Sequence, residues 1–219
     1  MNQNVSRNGF SLIELLIAMA VGLIVLGAMY SVFTLQNKQL NAQDMVTAMQ
    51  QNARASIEMM VQEIRMAGYR PGKVASTWTS GTAPGIMTAT ATSVSFVADL
   101  DGDSDTTADS TNPGENITYE LCPAATCTTC AWQCLSRTSN GTKQPFAEDI
   151  ESLTFRYFDS SGTQLTAPVT GTTLSNIRRI EVTIQARSAR EDPTYTSPSG
   201  DHYYHYQLVS QIALRNMGL

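Results

Sequence analysis

The chain has 219 residues, with 14 Lys and Arg against 19 Asp and Glu, and a formal charge of −5. Because nucleic-acid-binding proteins normally carry a basic patch, this balance argues against a nucleic-acid partner. Apolar residues make up 42% and charged residues only 15%, which is atypical of a disordered chain and indicates a polar, turn-rich globule. With 2 His and 4 Cys, few groups remain for acid–base or metal chemistry, and we do not expect an enzyme.

Near its start the chain carries one apolar segment, residues 10–33, whose single charged side chain is Glu14. As a helix it would span roughly 36 Å, enough to cross a hydrocarbon core of ~30 Å. The residues before it include Arg7 and no acid, so the positive-inside rule predicts a cytoplasmic N-terminus and an exported remainder. The chain has no second run of this kind, and we expect a single crossing.

Hydropathy alone leaves the nature of this segment open. A secretory signal peptide would be cleaved after the small residues at 18–20, but apolar residues continue well beyond them. A plain signal anchor would stay in the bilayer and leaves Glu14 without a role. An acid near the centre of such a helix costs about 2.5–3.5 kcal/mol, and less near its end.

A short motif offers a third interpretation. Residues 9–14 read Gly-Phe-Ser-Leu-Ile-Glu, which resembles the cleavage and methylation motif of type IV prepilins and type II secretion pseudopilins. The resemblance implies that a prepilin peptidase cuts after Gly9, removes residues 1–9 as a leader, and N-methylates Phe10. It also implies an assembly role for Glu14, whose carboxylate would pair with the Phe10 ammonium of a neighbouring subunit. A buried charge is tolerable when it is paired in this way, and the pair would fix the register of packed helices.

A helical pattern continues beyond the apolar run. Apolar residues recur at spacings of three and four, which predicts one buried stripe comprising Val46, Met49, Ala53, Ile57, Met60, Ile64 and Ala67. Gly68 is a plausible C-cap, and no proline occurs before Pro71. We therefore predict one helix from Ser11 to Ala67, with a membrane or filament-core half at 10–33 and an amphipathic half within 34–70.

Residues 71–219 are predicted to form a β-rich head. After a loop at 71–92, strand-like patterns occur at Val94–Ala98, Ile117–Leu121, Ser152–Phe158, Ile177–Arg187 and Tyr206–Arg215. An antiparallel sheet with one face on the helical stripe is the expected packing. The predicted fold class is α+β, one long N-terminal helix on a β head, and the leader motif implies that this fold is type IV pilin-like.

Parts of the head resemble the PilW-type minor pilins, namely Arg65–Tyr69, the aspartate-rich loop after Phe96, Ile150–Asp159 and Ile177–Arg187. The J-type pseudopilin of type II secretion shares the leader and the head plan. The resemblance implies a subunit of a tip complex that primes a pilus. It would be held in the bacterial inner membrane with a periplasmic head before entering the extracellular fibre. The implied partners are other minor and major pilins, the prepilin peptidase and a tip adhesin. A single-span, membrane-tethered periplasmic binding domain is the alternative.

Four cysteines lie close together, Cys122, Cys127, Cys130 and Cys134. Their spacing is compatible with an iron–sulfur cluster or a zinc site, but an exported head favours two disulfides. Four cysteines allow three connectivities. We favour Cys122–Cys134 across a hairpin, with Cys127–Cys130 as an inner clip.

An acidic loop is a further candidate metal site, with alternating carboxylates at Asp99, Asp101, Asp103 and Asp105. This pattern suits a hard cation such as Ca²⁺, although the glycine and glutamate positions of an EF-hand are not matched. A solvated acidic turn is the alternative, so no cofactor is certain and Ca²⁺ is the single candidate.

Two histidines, His202 and His205, lie in a tyrosine-rich segment. Without a third ligand in their context, we expect them to serve packing or subunit contact. The sequence has no P-loop, dinucleotide fingerprint or nucleophile elbow, so no catalytic residue is assigned.

Overall fold

The computed structural model describes residues 9–69, 85–100, 114–123, 130, 132–139 and 141–217. The chain divides into two compact units, Met1–Asp44 and Met45–Leu219. The division falls within the first helix, which contributes its N-terminal part to the first unit and its C-terminal part to the second.

Helix α1 (Leu12–Arg65) is 54 residues long and ends within two residues of the prediction on either side. Beyond it, the amides of Met66 and Ala67 donate to carbonyls three residues earlier, as in a 3₁₀ turn. Gly68 then adopts a φ of 78°, in the left-handed region that favours glycine. Its amide donates to the carbonyl of Val97 at 3.0 Å, which ties the end of the helix to a strand.

The strands form two antiparallel sheets rather than the single sheet that was expected. The first sheet contains, in spatial order, β1 (Gly85–Ala89), β2 (Ser93–Val97), β3 (Asn116–Cys122), β4 (Cys134–Ser139) and β5 (Thr142–Glu148). The second contains β6 (Ile150–Phe158), β7 (Gln164–Leu165), β8 (Arg179–Arg187) and β9 (His205–Ala213), in the spatial order β7-β6-β8-β9. A 3₁₀ helix (Gly171–Asn176) lies between β7 and β8.

The chain passes from one sheet to the other at Asp149. This residue stands between β5 and β6 with a φ of 58°, in a region that non-glycine residues seldom adopt. Two adjacent strands in sequence therefore belong to different sheets. A pattern of strands alone does not reveal such a switch, because it depends on one residue's backbone conformation.

Both sheets share one core with the C-terminal part of α1. Six residues of the predicted stripe, Met49, Ala53, Ile57, Met60, Ile64 and Ala67, are buried, and Val46 packs against them. The largest fully buried side chains from the strands include Phe96, Tyr119, Phe155 and Tyr157. Burying a large apolar side chain contributes about 1.5–3 kcal/mol, so this contact is what holds the helix on the sheets.

All five predicted strands are present, with ends within two residues of those predicted. The prediction of a loop throughout 71–92 is wrong at Gly85–Ala89, which forms β1 by pairing with β2. Strand β5 was also not predicted. Five of its seven residues are exposed, so it lacks the alternation from which a strand is recognised.

Candidate functional site

The residues of the N-terminal motif lie at the very start of α1. Gly9 and Phe10 precede the helix, and both are exposed, with 93% of Phe10 accessible. Glu14 is the third residue of the helix and so belongs to its first turn. An acid at this position is favoured by the helix dipole and lies at the end of the apolar segment, where the cost of a charge is smallest.

Glu14 accepts a hydrogen bond from the backbone amide of Ser11, with a distance of 2.9 Å from that nitrogen to Oε2. This bond satisfies one of the amides that a helix N-terminus leaves without an intrahelical partner. The order Ser-x-x-Glu is the sequence signature of a capping box, a signal that the sequence analysis missed. Glu14 therefore has a structural task within its own chain as well as its proposed role between chains.

The apolar face beside Glu14 forms a shallow open groove along the helix. Its lining combines aliphatic and small residues, namely Glu14, Ile17, Ala18, Val21, Gly22, Val25, Leu26 and Met29. Large apolar side chains from Phe10 to Leu40 are exposed all around this part of α1. Among the described residues, one helix is long enough and apolar enough to cross a membrane, and this helix is α1.

This arrangement can bind a cation at the head of an apolar groove. An ionised carboxylate has about four acceptor sites, and the Ser11 amide occupies one of them. The remaining sites can accept hydrogen bonds from an ammonium group. Small residues such as Ala18 and Gly22 let another helix approach closely, so apolar packing and a charge pair can form together.

A polar cluster joins α1 to the first sheet. The Tyr119 hydroxyl donates to the Glu63 carboxylate, and Arg137 Nε donates to the same group at 2.9 Å. Burial, reinforced by the hydrogen bond to Glu63, raises the pKa of Tyr119 well above its ordinary value, so its hydroxyl stays protonated. Burial alone would lower the pKa of Arg137, but its hydrogen bond to Glu63 and the charge of that carboxylate outweigh burial and raise it. Its residues are far apart in sequence, so no local pattern predicts the cluster.

The cysteines differ in part from the predicted pairing. Cys122 and Cys134 are opposite each other in the β3–β4 ladder, as the hairpin argument requires. The disulfide of Cys134, however, is formed with Cys130, whose Cα lies 6.3 Å away, within the usual range for a disulfide. The predicted Cys122–Cys134 and Cys127–Cys130 bonds are therefore both corrected, because each cysteine forms only one bond. Cys127 lies outside the described residues.

Most of the predicted calcium loop lies outside the described residues. Asp101, Asp103 and Asp105 lie outside the described residues, and only Asp99 is described. Asp99 is fully buried, as is Glu115, whose carboxylate accepts the amide of Leu100 at 2.7 Å. These two acids lie at the two ends of the undescribed stretch. The calcium hypothesis stays a prediction.

The two histidines have different surroundings. His205 lies between two carboxylates, with Nδ1 at 3.0 Å from Glu151 and Nε2 at 3.0 Å from Asp201. Burial by itself would lower the pKa of His205, but its hydrogen bonds to these carboxylates outweigh burial and raise it. His202 is exposed, and its Nδ1 lies 2.5 Å from the carbonyl of Tyr195. Among the described residues, no three His, Cys, Asp or Glu side chains are grouped so as to hold a metal.

An arginine lies between two aromatic rings beside the cysteine segment. The guanidinium carbon of Arg187 lies 3.4 Å from the centre of the Trp132 ring and 4.2 Å from that of Tyr203. Cation–π contacts of this kind contribute about 0.5–2 kcal/mol each. They connect the segment before β4, the end of β8 and the residues before β9. No sequence spacing brings these three residues together, so the sequence analysis did not find them.

The first unit carries a known processing motif. Residues 5–30 match a family model described as the prokaryotic N-terminal methylation motif. This match includes Gly9, Phe10 and Glu14 and covers 26 of the 219 residues. This motif marks N-terminal processing and methylation, and not a catalytic site.

The chain as a whole shows a distant likeness to a solved structure. No curated protein is significantly similar to the chain in sequence. A solved structure with a similar outline is a type IV-like pilin from Thermus thermophilus, with a TM-score of 0.43 and 10% sequence identity. That alignment covers 77% of this chain and 97% of the other.

Proposed function

We propose that this protein is a minor pilin of the PilW type, which helps to prime and assemble a type IV pilus from its tip. The observation that carries the proposal is the methylation motif at the start of an exposed apolar helix, with Glu14 in its first turn. A methylated N-terminus needs a peptidase to expose it, and an uncovered apolar helix needs lipid or other helices around it. A membrane-stored filament subunit satisfies both requirements.

In this proposal the protein begins in the inner membrane. Arg7 keeps the leader in the cytoplasm and the head lies in the periplasm. The prepilin peptidase reaches Gly9, which precedes the helix and is exposed, and its cut gives Phe10 a free amino group for methylation. The disulfide between Cys130 and Cys134 suits an oxidising compartment.

Assembly then follows from Glu14 and the apolar groove. The Phe10 ammonium of one pilin pairs with the Glu14 carboxylate of the next, while their apolar faces cover each other. The charge pair forms only at one axial offset, so it sets the register of the subunits. Other minor and major pilins are the partners in this step, and a tip adhesin is the partner above the complex.

Deletion of the gene tests this proposal. We expect fewer pili on the cell surface, restored by the wild-type chain, because priming limits the number of fibres rather than their length. Normal fibre numbers with lost protein secretion would instead indicate the J-type pseudopilin. Normal fibres and normal secretion, with the chain retained in the membrane, would indicate a tethered binding domain and contradict the proposal.

We further propose that the aspartate-rich loop binds Ca²⁺ in the head. The support is the alternation of carboxylates at residues 99–105, and Asp99 is the member whose position is described. A calorimetric titration with Ca²⁺ should release or absorb heat and raise the melting temperature of the chain. Neither change would occur if the loop is a solvated acidic turn.

A further inference from the structure

The edges of the two sheets differ in how well they are protected against pairing with another strand. Strand edges expose backbone donors and acceptors, and proteins block them with prolines, lysines, bulges or short strands. Three of the four edges here carry such features. Strand β1 has a register shift and a bridge from Ala89 to Val169. Strand β5 contains Lys143 and Pro145, and β7 has two residues.

Strand β9 has none of these protections. It is nine residues long and pairs with β8 along its whole length without a register shift. Its sequence, His-Tyr-Gln-Leu-Val-Ser-Gln-Ile-Ala, has no proline, glycine or lysine and no acid. Among the described residues no strand lies beyond it, so every second amide and carbonyl of β9 faces away from β8.

The side chains of β9 also favour pairing with a further strand. In the described part of the second unit, three large apolar side chains are exposed, namely Met59, Met87 and Val209. Val209 lies at the centre of β9, and 50% of its surface is accessible. Tyr206 and Leu208, on the other face, pack against the core but remain half-buried. An added strand would extend the core on that face and cover Val209 on the other.

The charges at the two ends of β9 define what kind of strand fits. Its N-terminal end lies beside acids, since His205 contacts Asp201 and Tyr204 donates to Asp192 at 2.8 Å. Its C-terminal end is basic, since Ala213 pairs with Arg179 of β8 and Arg215 follows two residues later. A complementary antiparallel strand is therefore uncharged in the middle, acidic at its start and basic at its end.

A second copy of β9 has this charge pattern, but pairing with it would give the two subunits opposite directions. Two antiparallel copies are related by a two-fold axis perpendicular to the sheet. A buried stripe of α1 from Met49 to Ala67 packs against residues of both sheets, so the helix runs along them. That axis would therefore make the two α1 helices run in opposite directions. Subunits that enter one membrane and one fibre with the same polarity cannot meet in this way.

We propose that β9 is a docking edge, where an extended strand of a different subunit of the same fibre adds to the second sheet by antiparallel pairing. Main-chain hydrogen bonds supply the affinity, and the acidic and basic ends of β9 set the register. The inference rests on the proposed function, because it requires a neighbouring subunit.

Hydrogen exchange on the native chain tests this docking edge. We expect alternate amides of β9 to exchange at least about tenfold more slowly in the fibre than in the detergent-solubilised chain, because pairing protects only the outward-facing set. Equal exchange rates in fibre and solubilised chain would overturn the proposal. Equally slow exchange in both would mean that another part of this chain already covers the edge, and would also overturn it.

A pair of lysine variants provides the second test. Gln207→Lys with Val209→Lys places charges on exposed positions of β9, and we expect about tenfold less chain in the fibre fraction with an unchanged melting temperature. The matched control is Thr142→Lys with Gln144→Lys, which has the same spacing on the protected edge β5 and should leave incorporation unchanged. Normal incorporation of the β9 variant would overturn the docking edge and leave the pilin assignment intact.

A photo-reactive residue at position 209 identifies the occupant. A cross-link to another subunit of the fibre supports the proposal, whereas a product made of two copies of this chain overturns it. If the wild-type chain never enters fibres at all, the proposed function fails first, and that result is distinguishable from failure of the edge.

Discussion

Glu14 combines two tasks that require the same position. Within its chain it accepts the Ser11 amide and stabilises the first turn of α1, an effect of about 0.5–2 kcal/mol for a capping group. Between chains its free acceptor sites are proposed to bind the methylated ammonium of Phe10. A carboxylate deeper in the helix would not reach a neighbour's N-terminus with the same geometry and would cost more in the membrane.

Replacement of Glu14 separates its two tasks. Glu14→Gln keeps an acceptor for the Ser11 amide but removes the charge, so we expect normal cleavage and helix content with at least about tenfold less incorporation into fibres. Quantitative blotting of the fibre and membrane fractions measures this. Glu58→Gln, an exposed position on the same helix, is the matched control. Normal incorporation of Glu14→Gln would contradict the proposed charge pair.

His205 provides a pH-dependent contact in the head. Its hydrogen bonds to Asp201 and Glu151 raise its pKa above the unfolded value of about 6.5. The stabilisation is therefore complete below about pH 6.5 and is lost as the pH rises through the higher folded pKa. We expect His205→Gln to lower the melting temperature more at about pH 5.5 than at about pH 8.5.

The control for that measurement is Gln207→Asn, an exposed position two residues away at which no titratable group is changed. It should leave the pH dependence of melting as in the wild type. An equal loss of stability at both pH values for His205→Gln would mean that the ring stabilises by packing and not by its charge.

At the scale of elements, sequence periodicity predicted the helices and strands that bury one face in the core. The stripe on α1 and the alternation in β8 were visible because each element buries one face, and both faces lie in the core. Strands β1 and β5 were missed because neighbouring strands, not their own patterns, hold them in place. The switch of sheet at Asp149 and the choice of Cys130 as the partner of Cys134 depend on local backbone paths, which spacing does not encode.

The candidate site was predicted only in part from the sequence. Gly9, Phe10 and Glu14 are contiguous, so their motif can be read directly from the chain. Glu63, Tyr119 and Arg137 are far apart in sequence and meet only after α1 has packed on β3 and β4. Long-range contacts of this kind leave no local signal.

Removal of Glu63 tests how α1 is joined to the first sheet. Glu63→Ala leaves the half-buried Arg137 without its carboxylate, and we expect a loss of about 2–3 kcal/mol in the free energy of unfolding. Denaturant unfolding of the purified chain measures it. Glu58→Ala on the exposed face of α1 should change stability by less than about 0.5 kcal/mol. Equal effects of the two substitutions would show that the cluster does not stabilise the packing.

At the scale of the molecule, the two units differ in how much apolar surface they expose. Among the residues that the structure describes, nearly all exposed large apolar side chains lie between Phe10 and Leu40, in the first unit. The second unit has a core shared by the C-terminal part of α1 and both sheets. The first unit therefore depends on lipid or neighbouring helices, while the second contains the apolar contacts that it needs to fold.

A truncated chain tests this difference between the units. A fragment that comprises residues 45–219 should be soluble without detergent and melt cooperatively, because it keeps the buried stripe and loses the exposed apolar helix. Sedimentation and circular dichroism measure both properties. The full chain under the same conditions should aggregate. A fragment that is insoluble or unfolded would show that the N-terminal part of α1 is needed for the head to fold.

The mass of the native polypeptide tests the central claim most directly. The assignment requires a free, methylated amine on Phe10 of one subunit, which pairs with the Glu14 carboxylate of the next subunit. Mass spectrometry of the protein isolated from its own cells should give a chain that begins at Phe10 and carries one N-methyl group. A chain that still begins at Met1, or one that begins after residue 20, would contradict the account.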